Sequence, residues 1–270
     1  PAEKLGSFEK ELGSRALSKP GGSIMEITIP ANDANFRGEA GRLRRRALSM
    51  AVDREGMARD IFHGMVLPAT SFVAPLDGSI PPAPEGADVL TYQPDKAREL
   101  WEQAEKLDPF DGTFSIAYNT DGGHKTWIDA VAKQLTDNLG VPAEGHEFAT
   151  LKDLRQEVVA RHLTGAFRTI WQAESPEEST FLVPLYASYS SENESGFNSS
   201  EYDELLKKAG QAKSREEAQK HYTEAQGLLL EKMPAIPLWT TKTFSAFGED
   251  IVHAGYTWKP TPNYYLIHRA

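Results

Sequence analysis

Apolar and polar positions follow two periods along this chain, and the switches between them mark out a succession of elements. In IMEITIPAN, Met25, Ile27 and Ile29 fall on one side and Glu26 and Thr28 on the other, the period of two of a strand with one face in a core. From about Gly41 to His63, Leu43, Ala47, Met50, Ala51, Met57 and Ile61 recur near helical spacing, and Gly64 is placed to end one long helix. Another helix begins at Pro94, with Ala97, Leu100, Trp101, Ala104 and Leu107 inward. Phe114, Ile116 and Tyr118 then alternate with Ser115 and Ala117 as on a strand. The helix that follows carries Trp127, Ile128, Val131, Leu135 and Leu139 and stops at Gly140. TLKDLRQEVVARHL reads as a helix, GAFRTIW as a short strand, and MPAIPLWT and NYYLIHRA as strands. Two late helices open on capping-box patterns, Ser200 with Asp203 and Ser214 with Glu217. The stretch from Leu67 to Tyr92, rich in Pro and Gly, predicts an extended loop, and KPGGS, closing a polar start, reads as a turn or hinge. Helices alternate with strands throughout, which predicts an α/β class with a sheet flanked by helices.

Composition narrows the functions open to such a domain. The chain has 270 residues, 40% of them hydrophobic, ample for a sizeable core. Its 39 acidic and 29 basic residues give a formal net charge of -10, so counterion release offers nothing and nucleic acid is not an expected partner. The basic run RLRRRALSM reads as a solvated or salt-bridged helix face. With no cysteine, disulfides, thiolate catalysis and cysteine-bound zinc are excluded. No apolar stretch approaches the ~18 residues of a membrane-spanning helix. There is no signal-peptide pattern, and a start at Pro1 reads as a mature form or a piece of a longer chain.

The motifs of several enzyme classes are missing. Neither the phosphate loop G-x-x-x-x-G-K-[ST] nor the dinucleotide fingerprint G-x-G-x-x-G occurs, nor the zinc pattern H-E-x-x-H, nor the elbow G-x-S-x-G. The seven histidines lack ligand-like spacing, and no metal or cofactor is expected. A spatial pair of carboxylates leaves an α/β enzyme domain as an alternative. Two stretches carry binding chemistry. DGGH sets backbone N–H groups and His124 at a helix N-terminus, where a carboxylate can dock; the alternative is a tight turn with a solvent-facing His124. In GAFRTIWQAESPEESTFL, Trp171 offers a flat wall, Arg168 a fork for a carboxylate and Glu174 an acceptor for an ammonium, together suited to a zwitterion. The alternative there is a core Trp at a strand end among surface charges.

Six segments in order, running from RRRALSMAVDREGMARDIFHGMVLPATSFVAP through IWQAESPEESTFLVPLY to LLLEKMPAIPLW, resemble the solute-binding proteins of peptide ABC importers, family 5, of an actinobacterial-like oligopeptide- or dipeptide-binding kind. RRRALSMAVDREGMARDIFHGMVLPATSFVAP is similar to the family's V-R-Q-A-L-S-x-A-I-D-R-E with a later G-x-x-x-P-A, and YQPDKARELWEQAEKL to its Y-D-P-E-K-A-K-x-L-L-x-E-A. IAYNTDGGHKTWIDAVAKQLTDNLGVPAE and IWQAESPEESTFLVPLY resemble its strand–helix unit and its W-x-A-D-Y-x-D-P segment; SSEYDELLKKAG and LLLEKMPAIPLW follow in family order. The resemblance implies a periplasmic binding protein-like class II fold, here the C-terminal lobe with a mixed sheet flanked by helices. It implies an entry segment and first strand over 1–30, a ligand-binding lobe over 31–240, and a return segment over 241–270 toward a missing first lobe. It also implies a small peptide ligand held between two lobes, ABC permease subunits as partners, a monomer without catalysis, and an extracellular or periplasmic place on a lipid anchor in the missing part.

By the same resemblance, ligand-binding positions fall on Trp171, Gln172, Ala173 and Glu174 at W-x-A-D, with the acid taking the peptide amine and the backbone adding the peptide as a strand. Arg168 and His124 fall where some members meet the peptide carboxylate, and Asn119 is counted with them among the ligand-binding positions. Glu174 in place of Asp and Ser175 in place of an aromatic depart from the pattern, as does Arg44 at a usually apolar position, where packing is the expected consequence. The same fold with a nickel chelate, opine or sugar as ligand stands as an alternative.

Overall fold

The structure is a computed structural model that describes residues 5–76, 83–259 and 261–270. Six strands form one mixed sheet: β1 (Ala16–Thr28), β2 (Val66–Pro68), β3 (Phe114–Asn119), β4 (Ala143–Phe148), β5 (Ala166–Gln172) and β6 (Ala235–Ala246), in the order β2-β6-β1-β5-β3-β4. β1 runs antiparallel to both β5 and β6, whereas β3 is parallel to β4 and β5. A two-stranded ribbon, β7 (Ile251–Val252) with β8 (His268–Arg269), stands apart. The helices are α1 (Leu5–Leu12), α2 (Gly38–Met50), α3 (Arg54–Asp60), α4 (Pro94–Leu107), α5 (Lys125–Leu139), α6 (Leu151–Val159), α7 (Ser179–Tyr186), α8 (Ser200–Gln211) and α9 (Arg215–Lys232). The mixed sheet flanked by helices agrees with the fold expected from the sequence.

The crossovers explain why both sheet faces are covered. From β3 to β4 the chain steps outward by one strand, and from β4 to β5 it steps back across β3. Right-handed crossovers in opposite directions place their helices on opposite faces. Accordingly Ile128, Val131 and Leu135 of α5 join Ile116 and Tyr118 in the main core, while Leu154 and Val158 of α6 meet Ala117 and Phe167 in a second cluster. No described helix is long and apolar enough to cross a membrane.

Several expectations change. The helix expected over 41–63 is two, broken at Val52 and Asp53. Asp53 caps α3 by accepting the Gly56 N–H at 2.9 Å, and its own N–H goes to Gln134 Oε1 at 2.8 Å. The buried Arg54 guanidinium then donates to Ser49 O in the last turn of α2, at 2.9 Å, and to Pro237 O of β6, at 2.8 Å, tying the break to the sheet. The expected polar face of β1 is also buried: Glu26 is 1% exposed and Thr28 6%. β1 lies between two strands with helices above and below, so alternation in its sequence does not mean a wet face.

KPGGS lies inside β1 at a register shift between Pro20 and Ile24 rather than in a turn. The loop of 67–92 holds the end of β2 and a short 3-10 turn, Ala87–Leu90, and its residues 77–82 lie outside the described residues. Leu107, expected inward, is 61% exposed. Ser199, not Ser200, caps α8, while Ser214 caps α9 as expected, accepting the Glu217 N–H at 3.1 Å. Of NYYLIHRA, His268–Arg269 alone is a strand. Arg44 is fully buried, donates to Asn35 O and Asp108 O, pairs with Glu105 at 3.0 Å, and packs on the Trp101 and Phe110 rings. Packing is therefore its role.

Candidate functional site

The end of β3 and the start of α5 bring three of the expected residues together. Asn119 closes β3 and is buried; Thr120–Gly122 makes one 3-10 turn, and Gly123, at φ 70°, turns the chain into α5. Arg168 reaches over from β5 and donates both Nε, at 2.8 Å, and Nη2 to Asn119 Oδ1. Asn119 in turn donates to Asp121 Oδ1, and that hydrogen bond holds the Asp121 carboxyl below its ordinary pKa.

His124 is 8% exposed, so the solvent-facing reading fails. Trp127 stands edge-on to it and donates its indole N–H to Nδ1 at 3.2 Å. With Nδ1 accepting, the neutral ring carries its proton on Nε2. Burial, and then the charge of Arg168, push the His124 pKa down to about 4 against the pull of Asp121. At neutral pH the ring is thus an uncharged donor beside a cation. Gly122 makes room for it: a Cβ there would lie 2.7 Å from Cδ2 of His124 and nearer still to Nε2.

The other four expected residues sit where β5 ends. Side chains alternate along a strand, so Arg168, Ile170 and Gln172 face one way and Trp171 the other. The picture of Trp171 and Arg168 walling one pocket therefore gives way to one cluster at each end of a strand. Trp171 packs on the core and donates its indole N–H to Thr180 O at 2.7 Å. Gln172 accepts from Ser23 Oγ and donates to Gly22 O at 3.0 Å. Ala173 is buried, with its N–H on Gly22 O at 2.7 Å, and the Glu174 N–H goes to Thr180 Oγ1 at 2.8 Å. The Glu174 side chain is exposed and makes no hydrogen bond among the described residues.

Between the two clusters β5 has an open edge. β1 pairs with it from Phe167 to Gln172, but on the other side β3 pairs only with Ala166 and Phe167. Because Ala173 donates toward β1, ladder alternation turns the backbone groups of Trp171 toward β1 and those of Ile170 and Gln172 away from it. Beyond Glu174 lies a cavity of ≈ 1090 Å³, lined among others by Pro176, Glu177, Glu178, Gln219, Tyr222 and Trp258. Asp121, Gly122, Ile170 and Thr180 were absent from the expected site. Asp121 and Gly122 lie within the DGGH turn, whereas nothing in the sequence pattern marks Thr180.

Comparison with known proteins now decides the family. The sequence model described as bacterial extracellular solute-binding proteins, family 5 Middle, matches residues 19–193. The chain belongs to this family. It is similar to the periplasmic murein peptide-binding protein MppA of Escherichia coli K12, 29% identical over 207 residues, covering 72% of the chain and 36% of MppA. It is equally 29% identical, over 261 residues, to the glutathione-binding protein GsiB of Salmonella typhimurium, covering 93% of the chain and 49% of GsiB. Its fold matches the unliganded open form of MppA with a TM-score of 0.81 at 23% identity, over 93% of the chain and 48% of MppA. The chain thus spans about half, or less, of the length of these relatives. Among the described residues no group of three His, Asp or Glu side chains is placed to hold a metal ion.

Proposed function

We propose that this family member is one lobe, the C-terminal one, of the binding component of an ABC importer, and that it captures small peptides in a cleft against a second lobe and passes them to a membrane permease. The observation that carries the reading is the open edge of β5, with a cationic cluster at Arg168 and a free carboxylate at Glu174. Arg168 and Glu174 are six positions apart, about 20 Å along an extended strand. An extended peptide of up to about six residues laid on that edge brings its amine to one end and its carboxylate to the other.

Each part of the site meets a group that every peptide has. Glu174 accepts from the ammonium; the Nη1 of Arg168, which makes no hydrogen bond among the described residues, and the His124 Nε2–H donate to the carboxylate; Ile170 and Gln172 supply strand hydrogen bonds. Side chains extend into roomy space, such as the cavity beside Pro176, where water adapts to different residues. Closure of a second lobe removes water from the terminal charges and strengthens them, which leaves the lobe alone a millimolar binder or weaker. The relatives named for a murein peptide and for glutathione favour a binder over an enzyme, placed outside the cytoplasmic membrane; a monomeric state and a lipid anchor complete the proposal.

The test is native mass spectrometry of the full-length protein with a defined mixture of di- to pentapeptides, followed by calorimetry with the tightest binder. Glu174→Gln and Arg168→Met are each expected to weaken it at least tenfold, by loss of a charge-assisted contact. Retention of no peptide, alongside tight binding of a nickel chelate, an opine or a sugar, would overturn the reading.

A further inference from the structure

If Glu174 anchors the ligand amine as proposed, its carboxylate has to be aimed. Glu174 lies in a short connection between β5 and α7, and its exposed side chain has no partner of its own. A carboxylate on a free loop would lose conformational freedom each time it closed on an ammonium, and affinity would fall accordingly. Its backbone, however, is not free. The Glu174 N–H donates to Thr180 Oγ1 at 2.8 Å, and the indole of Trp171 donates to the carbonyl of the same threonine at 2.7 Å. Thr180 is itself 9% exposed and is fixed in the first turn of α7, its N–H bonded to Glu177 O at 3.1 Å. Behind it α7 is anchored in the core through Phe181, Leu182 and Leu185.

We infer that Thr180 is a positioning residue for ligand capture, a two-point clasp that holds the end of β5 and the Glu174 backbone against α7 and so presents the carboxylate to the ligand amine. The two contacts do different work. The carbonyl contact survives any side-chain change at position 180, whereas the Oγ1 contact needs a hydroxyl at this place. Valine keeps the shape and the β-branch but removes the acceptor, leaving the Glu174 N–H without its partner. Serine keeps the acceptor and gives up one methyl group.

The test uses the full-length protein and the peptide found to bind tightest in the mixture above, in free-amine and N-acetylated forms, with calorimetry as the readout. Thr180→Val is expected to weaken the free-amine peptide about tenfold, Thr180→Ser to stay within about twofold of the parent, and the N-acetylated peptide to bind both variants and the parent alike. That last result separates aiming from support, since a merely structural role lowers affinity for both peptides together. Two results overturn the inference: Thr180→Val binding the free-amine peptide as the parent does, or losing equally on the acetylated one. Glu174→Gln is the control. If it weakens the free-amine peptide while Thr180→Val does not, the inference falls and the amine-anchor reading stands; if it too has no effect, both fall.

Discussion

Glu26 sets a pH dependence on the stability of this chain. It sits in the middle of β1, 1% exposed, and both of its carboxylate oxygens face the Tyr186 hydroxyl, at 2.8 and 2.7 Å. Burial raises its pKa from an ordinary 4.5 to about 7, and the Tyr186 hydrogen bond only partly opposes that rise. The native state therefore holds a proton that the unfolded chain releases between pH 4.5 and 7. More protons on the native side mean that stability is full below the unfolded pKa and is lost as pH rises toward the folded one. At about 1.4 kcal/mol per unit, the loss across that window is about 3 kcal/mol. Glu26→Gln cannot ionise and removes this term. Urea unfolding of parent and variant, followed by tryptophan fluorescence at half-unit steps from pH 4.5 to 8.5, isolates it, because the other titrating groups cancel in the difference. The variant's stability relative to the parent should climb by about 3 kcal/mol from the bottom to the top of that range. Tyr186→Phe should move the midpoint of the climb upward, since the hydroxyl favours the ionised form. A difference that stays constant with pH would mean that the carboxylate is solvated, and the reasoning from burial would be wrong.

Three further outcomes follow from single contacts. Gly122→Ala puts a methyl group where the imidazole lies, so the Trp127–His124 hydrogen bond should break and the His124 pKa should climb from about 4 toward its ordinary 6.5; histidine NMR titration reads both, and an unchanged titration counts against the packing described. Arg44→Ala should cost about 3 kcal/mol in urea unfolding, by leaving Asn35 O and Asp108 O without their donor in a buried site. Arg44→Met leaves the same two carbonyls unpaired but refills the volume against the Trp101 and Phe110 rings, and Glu105 keeps the Phe110 N–H at 3.0 Å, so it should cost less than Ala by the cavity it avoids. Ser214→Ala should cost about 1 kcal/mol by uncapping α9, with Ser214→Asp near neutral; equal losses in the two would deny the cap.

What the sequence determined is local or repeated many times over. Alternation at Phe114–Tyr118 and helical spacing from Trp127 to Leu139 gave β3 and α5 because each is fixed by its own core-facing residues, and Gly140, at φ 73°, ends α5 where expected. The family followed from six weak segments in order. Tertiary structure decided the rest. β4 carries no apolar period because an edge strand buries little on either side, and α7 shows none because it is short and carries Pro184. The break between α2 and α3 depends on Gln134 and Pro237, far along the chain, and Glu26 is buried because α7 folds over β1. The open edge of β5 and the clasp at Thr180 exist only where strands diverge and a helix returns. Such pairings join residues distant in sequence, and no local period records them.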